Sequence, residues 1–193
     1  MQIRQAVEED VIGLSHLLGA LAAAGKRSLP YDEGFVRDRY VAHPDNIACH
    51  VAVDDDGSLL GMQVLMRAAG GNAYGVPAGW GIIGTHVGLH AARRGVGKAL
   101  FARTHAAAQA AGLPKIDATM GADNPEALGY YAAMGFQSYR SDAGTVSKAF
   151  DLNAATPVWR NSTNSLNIAK PLENAPLQPS KPQRGAIHFE KTI

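Results

Sequence analysis

The chain has 193 residues, 46% apolar and 18% charged, enough for one substantial core and something extra. Its 18 Lys and Arg against 17 Asp and Glu leave a formal charge of +1, which argues against a general nucleic-acid binder, although a local basic loop can still hold phosphates. The single cysteine excludes an internal disulfide framework, and no signal-like start or stretch of ~18 apolar residues occurs, so a cytoplasmic protein without membrane contact is expected.

Gln2 to Gln5 read as a first strand, followed by the acidic turn Glu8-Glu9-Asp10, placed to complement a helix N-terminus. Val11, Leu14, Leu18 and Leu21 recur at helical spacing and predict an amphipathic helix ending near Gly25. Tyr31 to Ala42 predicts a second helix, stopped before His43-Pro44. The runs Ile47–Val53 and Leu59–Met66 flank Asp54-Asp55-Asp56-Gly57 and read as a hairpin, with Cys49 as a buried structural thiol. A glycine-rich break precedes an apolar strand from Trp80 to Leu89. Then come a glycine and arginine turn, an Ala-rich helix from Lys98 to about Ala111, a strand Ile116–Met120 and a helix Pro125–Met134. Phe136–Tyr139 and Thr145–Leu152 close the order as strands. An α/β (α+β) fold with a central mixed sheet and helices on both faces fits this order.

Residues 153–193 hold five of the ten prolines and little periodicity, and read as an extension of a 1–152 domain. Such a stretch cannot build its own core. Trp159, Leu166, Ile168, Leu172 and Leu177 are spaced like anchors along an arm, and the run 186–193 offers an edge strand. An arm of this kind makes a homodimer geometrically easy; a weakly held tail is the plainer alternative.

The stretch Thr85-His-Val-Gly-Leu-His-Ala-Ala-Arg-Arg-Gly-Val-Gly-Lys98 runs from a strand through a glycine turn into a helix. Such a turn presents backbone N–H groups at the positive end of a helix dipole, and glycines let a phosphate come close. Arg93, Arg94 and Lys98 add charge there. A phosphate-bearing ligand is the expectation, although a tight turn without a ligand would read the same way. Neither the P-loop nor the Rossmann glycine pattern is present, the latter because Leu100 stands where its third glycine belongs.

A second motif, Asn124-Pro-Glu-Ala-Leu-Gly-Tyr-Tyr-Ala-Ala-Met-Gly-Phe136, joins the first. Together they resemble the GNAT superfamily of acyl-CoA N-acyltransferases, with Asn124, Ala127, Tyr131, Gly135 and Phe136 at the family's spacing. The opening Ile3-Arg4 and Ala6 to Asp10 is similar to the family's first strand and helix, so the resemblance covers about residues 1–152. One departure stands out: the Gln/Arg that opens the family's phosphate loop is Ala92 here.

The resemblance implies direct acetyl transfer from acetyl-CoA, used as co-substrate, to an amine, with no covalent enzyme intermediate. It implies that the strand end Val87, Gly88 and Leu89 aligns the pantetheine arm, with the Val87 N–H as oxyanion donor. Arg93, Arg94, Gly95, Val96, Gly97 and Lys98 would hold the pyrophosphate. Tyr131 takes the family's general-acid position, against the alternative of a core tyrosine. Asn124 either contacts the cofactor arm or simply caps its helix, and both can hold. The family's strand glutamate is missing. His86, the one titratable side chain on that strand, is then a candidate base beside a packed histidine or a water relay. The acceptor expected first is a small-molecule primary amine; a protein or peptide amine, or a non-catalytic acyl-CoA sensor, are the alternatives. Scattered histidines give no metal site.

Overall fold

Seven strands pair into one sheet in the order β1-β2-β3-β4-β5-β7-β6 in the computed structural model, which describes residues 1–154. They are β1 (Gln2–Gln5), β2 (Asn46–Val53), β3 (Leu59–Arg67), β4 (Gly81–Val87), β5 (Lys115–Gly121), β6 (Gln137–Asp142) and β7 (Thr145–Asp151). Every pairing is antiparallel except β4 with β5. A parallel pair cannot be closed by a hairpin, and the Ala-rich segment supplies the crossover as helix α3 (Val96–Ala110). The expected mixed sheet with helices on both faces is thus observed. The arm anchors Trp159, Leu166, Ile168, Leu172 and Leu177 and the run 186–193 lie outside the described residues.

Helix α1 (Val11–Ala23) buries Leu14, Leu18 and Leu21 with Val51, Met62 and Val64 on one face of the sheet. Helices α3 and α4 (Pro125–Ala133) cover the other, where Phe101, Ala127 and Tyr131 meet Leu65, Ile83 and Ile116. Phe101, Phe136 and Phe150 pack as a trio with centroids 5.4 Å apart. Each such ring pair adds about 0.5–1.5 kcal/mol beyond its area.

One element differs from expectation. The second helix is a single α turn, α2 (Glu33–Val36), capped by the Asp32 carboxylate accepting from Phe35 N–H at 3.0 Å. It widens into a π turn over Arg37–Val41, where Ala42 N–H reaches back to Arg37 O at 2.8 Å. The wide turn sends the consecutive residues Arg39 and Tyr40 both inward, which a regular amphipathic pattern does not reveal. The acidic turn Glu8–Asp10 lies directly before α1, and the buried Asp10 carboxylate accepts from Arg4 at 2.6 and 2.7 Å and from Val7 N–H at 2.9 Å. Cys49 is buried, and burial pushes its thiol up to about 12.

Candidate active site

Strands β4 and β5 pair only at Gly81 with Ile116 and Ile82 with Asp117. Beyond that β4 runs on to Val87 and β5 to Gly121 without pairing to each other, so the sheet splits. The edge of β4 facing β5 therefore carries backbone groups with no strand partner. Gly88 N–H bonds Leu60 O at 2.9 Å on the β3 side. By the alternation of an antiparallel ladder, the Val87 N–H then points the other way, into the split.

A cleft of about 630 Å³ opens there. Val87, Gly88 and Leu89 form one part of its wall; Arg93, Gly95, Val96, Gly97 and Lys98 form another. Gly95 caps α3 with φ +79°, and a Cβ built on it would meet nothing within 4 Å, so its open side is free for a ligand. Arg93 also takes a positive φ of 62°, a conformation uncommon for a side-chain-bearing residue. The first intrahelical bond of α3 runs from Ala99 N–H to Gly95 O at 3.0 Å. The preceding N–H groups of that turn are left without helical partners, at the positive end of the dipole. Arg94, expected in the same set, is off the cleft wall and pairs instead with Asp54 of the β2–β3 turn at 2.8 Å.

Deeper in, four polar side chains interlock. Gln63 Nε2 donates to Thr85 Oγ1 at 2.8 Å and to the Tyr130 hydroxyl at 3.2 Å. The Tyr131 hydroxyl lies 3.0 Å from Thr85 Oγ1. Tyr130 in turn donates to Gly97 O at 2.8 Å, tying α4 to the start of α3. Thr85 and Tyr130 line the cleft, whereas Tyr131 is buried behind Thr85 and does not. Burial raises both phenols well above their ordinary value, with a hydrogen bond to Thr85 opposing it at Tyr131. Both stay protonated across the physiological range. Asn124 does not line the cleft; its Oδ1 accepts from Ala127 N–H at 3.0 Å and caps α4.

His86 stands apart from this group. Strand alternation and the pairing with Met62 put it on the opposite sheet face from Thr85 and Val87. There it packs edge-on to Tyr40 at 5.8 Å. Burial, reinforced by the Arg27 charge, lowers its pKa to about 3. Burial this deep disfavours the imidazolium that a base at this position would become.

The sequence reading missed two groups on the wall. Lys26, after α1, and Glu126, in the first turn of α4, both line the cleft and pair at 2.7 Å. Their separation of 100 residues left no local signal. Among the described residues no group of three His, Cys, Asp or Glu is placed to hold a metal ion, and no helix is long and apolar enough to cross a membrane.

No curated protein matches the chain. Among solved structures, a GCN5-related N-acetyltransferase from Kribbella flavida is 21% identical, with a TM-score of 0.67, and covers 78% of this chain and 97% of its own. A GNAT superfamily phosphinothricin acetyltransferase from Sinorhizobium meliloti, solved in complex with AcCoA, is 18% identical, with a TM-score of 0.65 and coverage of 81% and 92%. A ribosomal-protein-alanine N-acetyltransferase from Brucella melitensis is 16% identical, with a TM-score of 0.60 and coverage of 79% and 100%. At such identities the likeness is one of fold. The sequence profile of the acetyltransferase (GNAT) family matches residues 17–136, well over half of the chain. A split sheet with a helix N-terminus at its mouth and that match together place the chain in the GNAT family, as an acyl-CoA-dependent N-acetyltransferase.

Proposed function

We propose that the chain transfers an acetyl group from acetyl-CoA directly to a primary amine of a small molecule. The observation that carries this reading is one cleft that joins a phosphate-binding helix start to a protonated hydroxyl network at the split between β4 and β5. The residues present fit the cofactor. The α3 N-terminus with Arg93 and Lys98 supplies donors and positive charge for phosphates, and Gly95 leaves room for their approach. Among the described residues the one carboxylate on the wall, Glu126, is paired with Lys26. The unpaired edge of β4 offers strand-like hydrogen bonding to the amides of an extended arm.

Bound there, acetyl-CoA supplies a thioester carbonyl open to attack by the amine. The Val87 N–H, fixed by the β3–β4 ladder, donates to the oxygen that becomes negative as the amine adds. Tyr131 donates a proton to the departing sulfur through the Thr85 hydroxyl, because Thr85, and not Tyr131, reaches the cleft. Its raised pKa keeps that proton available at neutral pH. Tyr130 holds α4 against Gly97 and keeps the network aligned.

The test is an acceptor screen with acetyl-CoA over a panel of small amines, amino acids and peptides, read out as free thiol. Amine-dependent thiol release with small acceptors is the expected result. Release with peptides alone would replace the small-molecule reading by a protein acceptor. Tight acetyl-CoA binding without release for any amine would mark a sensor.

A further inference from the structure

The amine must lose a proton before it attacks, and an alkylammonium has a pKa of ~10, so a group near the split has to accept it. Helices α3 and α4 fill one face of the split with core side chains. An acceptor that enters on the opposite face, the one that bears His86, meets β5 where it parts from β4. The register that pairs Ile82 with Asp117 puts the Asp117 side chain on that same face, at the point where β4 and β5 part.

Asp117 is a buried carboxyl, 1% exposed, with no ion pair to a Lys or Arg among the described residues. A buried carboxylate is costly unless its oxygens are hydrogen-bonded, and both of these are. Its Oδ1 accepts from the Tyr139 hydroxyl at 2.8 Å and its Oδ2 from Thr119 Oγ1 at 3.1 Å. Thr119 lies two residues further along β5, toward the open end of the split, and is only half buried. Its hydroxyl also meets Ser147 Oγ at 2.7 Å. A hydroxyl chain thus leads from the open part of the split to a buried negative charge. An incoming cation is drawn to such a charge, and the carboxylate can take its proton.

We propose that Asp117, working through the Thr119 hydroxyl, accepts the proton of the incoming ammonium group; this rests on the amine-acetylating reading above. The ammonium gives its proton to Thr119 Oγ1 while the Thr119 hydroxyl proton passes to the Asp117 carboxylate. The freed amine forms the C–N bond and the C–S bond breaks; the sulfur takes its proton from Tyr131 through Thr85, and the second proton that the nitrogen sheds on becoming an amide restores that phenol. Asp117 later returns its proton to solvent by the same chain. Burial raises the Asp117 pKa, while hydrogen bonds from Tyr139 and Thr119 and the Arg140 charge lower it. Among the described residues the titratable and charged groups that act on it are Tyr139 and Arg140 of β6 and Tyr131 of α4. Across the sheet β4 and β7 present Ile82, Ala149 and Ser147, which do not titrate.

The experiment compares the wild type with Asp117→Asn, Thr119→Val, Thr119→Ser and Tyr139→Phe, using an amine that the screen returns. Asp117→Asn keeps the shape and an acceptor for Tyr139, so melting temperature and acetyl-CoA affinity should hold while kcat falls about 100-fold or more. The acid limb of its pH–kcat profile should vanish. Thr119→Val should lose a similar factor and Thr119→Ser recover most of it. Tyr139→Phe removes a donor from the carboxylate, so the acid limb should move to higher pH. Wild-type kcat and an unchanged acid limb in folded Asp117→Asn overturn the inference while the amine-acetylating reading stands. Should that variant not fold, wild-type kcat in Thr119→Val overturns the inference equally. If the wild type releases thiol with no amine, both fail.

Discussion

The Tyr130 hydroxyl donates to the Gly97 carbonyl at 2.8 Å, and a Cβ on Gly97 would come within 2.7 Å of the Tyr130 ring. Helix α4 therefore sits on the first turn of α3 at a distance that only glycine permits. The contact couples the start of α3, at the mouth of the cleft, to the hydrogen-bonded network of Gln63, Thr85 and Tyr131.

Gly97→Ala should accordingly act on both ends. Overpacking at a fixed contact costs about 1–3 kcal/mol, and here the ring must give way. Calorimetry should show weaker acetyl-CoA binding, and a thermal melt a lower midpoint. Unchanged affinity with an unchanged midpoint would mean that α4 moves freely past α3.

Gly95→Val probes the other glycine by a different mechanism. No atom crowds its Cβ position, so the cost comes from φ +79°, which a β-branched residue resists, and from the methyl groups placed over the proposed phosphate site. Acetyl-CoA affinity should fall at least tenfold in a folded variant. Arg94→Ala is the contrast. Its guanidinium is spent on Asp54, so affinity should change less than for Arg93→Ala. Equal losses for the two arginines would bring Arg94 to the phosphates when the ligand is bound.

The difference between those arginines marks what the sequence can say. Spacing within one motif was enough to locate the glycine turn, because a strand, a left-handed glycine and a helix start are consecutive. It also placed Tyr131 one turn from the Gly135 bend. Partners 35 to 100 residues away were not legible: Asp54 for Arg94, Glu126 for Lys26, and Asp117 opposite Ile82 follow from sheet register and helix docking. His86 shows the limit most sharply. Its place on β4 was readable, but which face it takes depends on the alternation between Thr85 and Val87 and on Tyr40, turned inward by the π turn.

Tyr131→Phe keeps the ring packed against Phe136, at 5.0 Å between centroids, and removes only the hydroxyl. If the proton reaches the sulfur through Thr85, kcat should drop about 100-fold in Tyr131→Phe and by a similar factor in Thr85→Val. The double variant should be no worse than either single one, since both cut one relay. A Thr85→Val enzyme with wild-type kcat would return direct access to Tyr131, or give the role to Tyr130 on the cleft wall.

The buried histidines predict how stability depends on pH. Burial lowers His86 to about 3 and, with the Arg103 charge, lowers His50 to about 4. In the unfolded chain both titrate near ~6.5. Between those values the unfolded state binds protons that the folded state refuses, so unfolding gains free energy as pH falls. Stability is full above ~6.5 and declines toward pH 4, with a slope of up to about 1.4 kcal/mol per pH unit for each histidine. Carboxylates begin to contribute only below about pH 5, so the window from 6.5 to 5 isolates the histidines. Urea unfolding across that window should show the decline in the wild type and a shallower one in His86→Phe, which keeps an aromatic ring against Tyr40. A wild-type stability that stays flat from pH 7 to 5 would mean that His86 and His50 accept protons without unfolding, and with it the case against His86 as the base would fall.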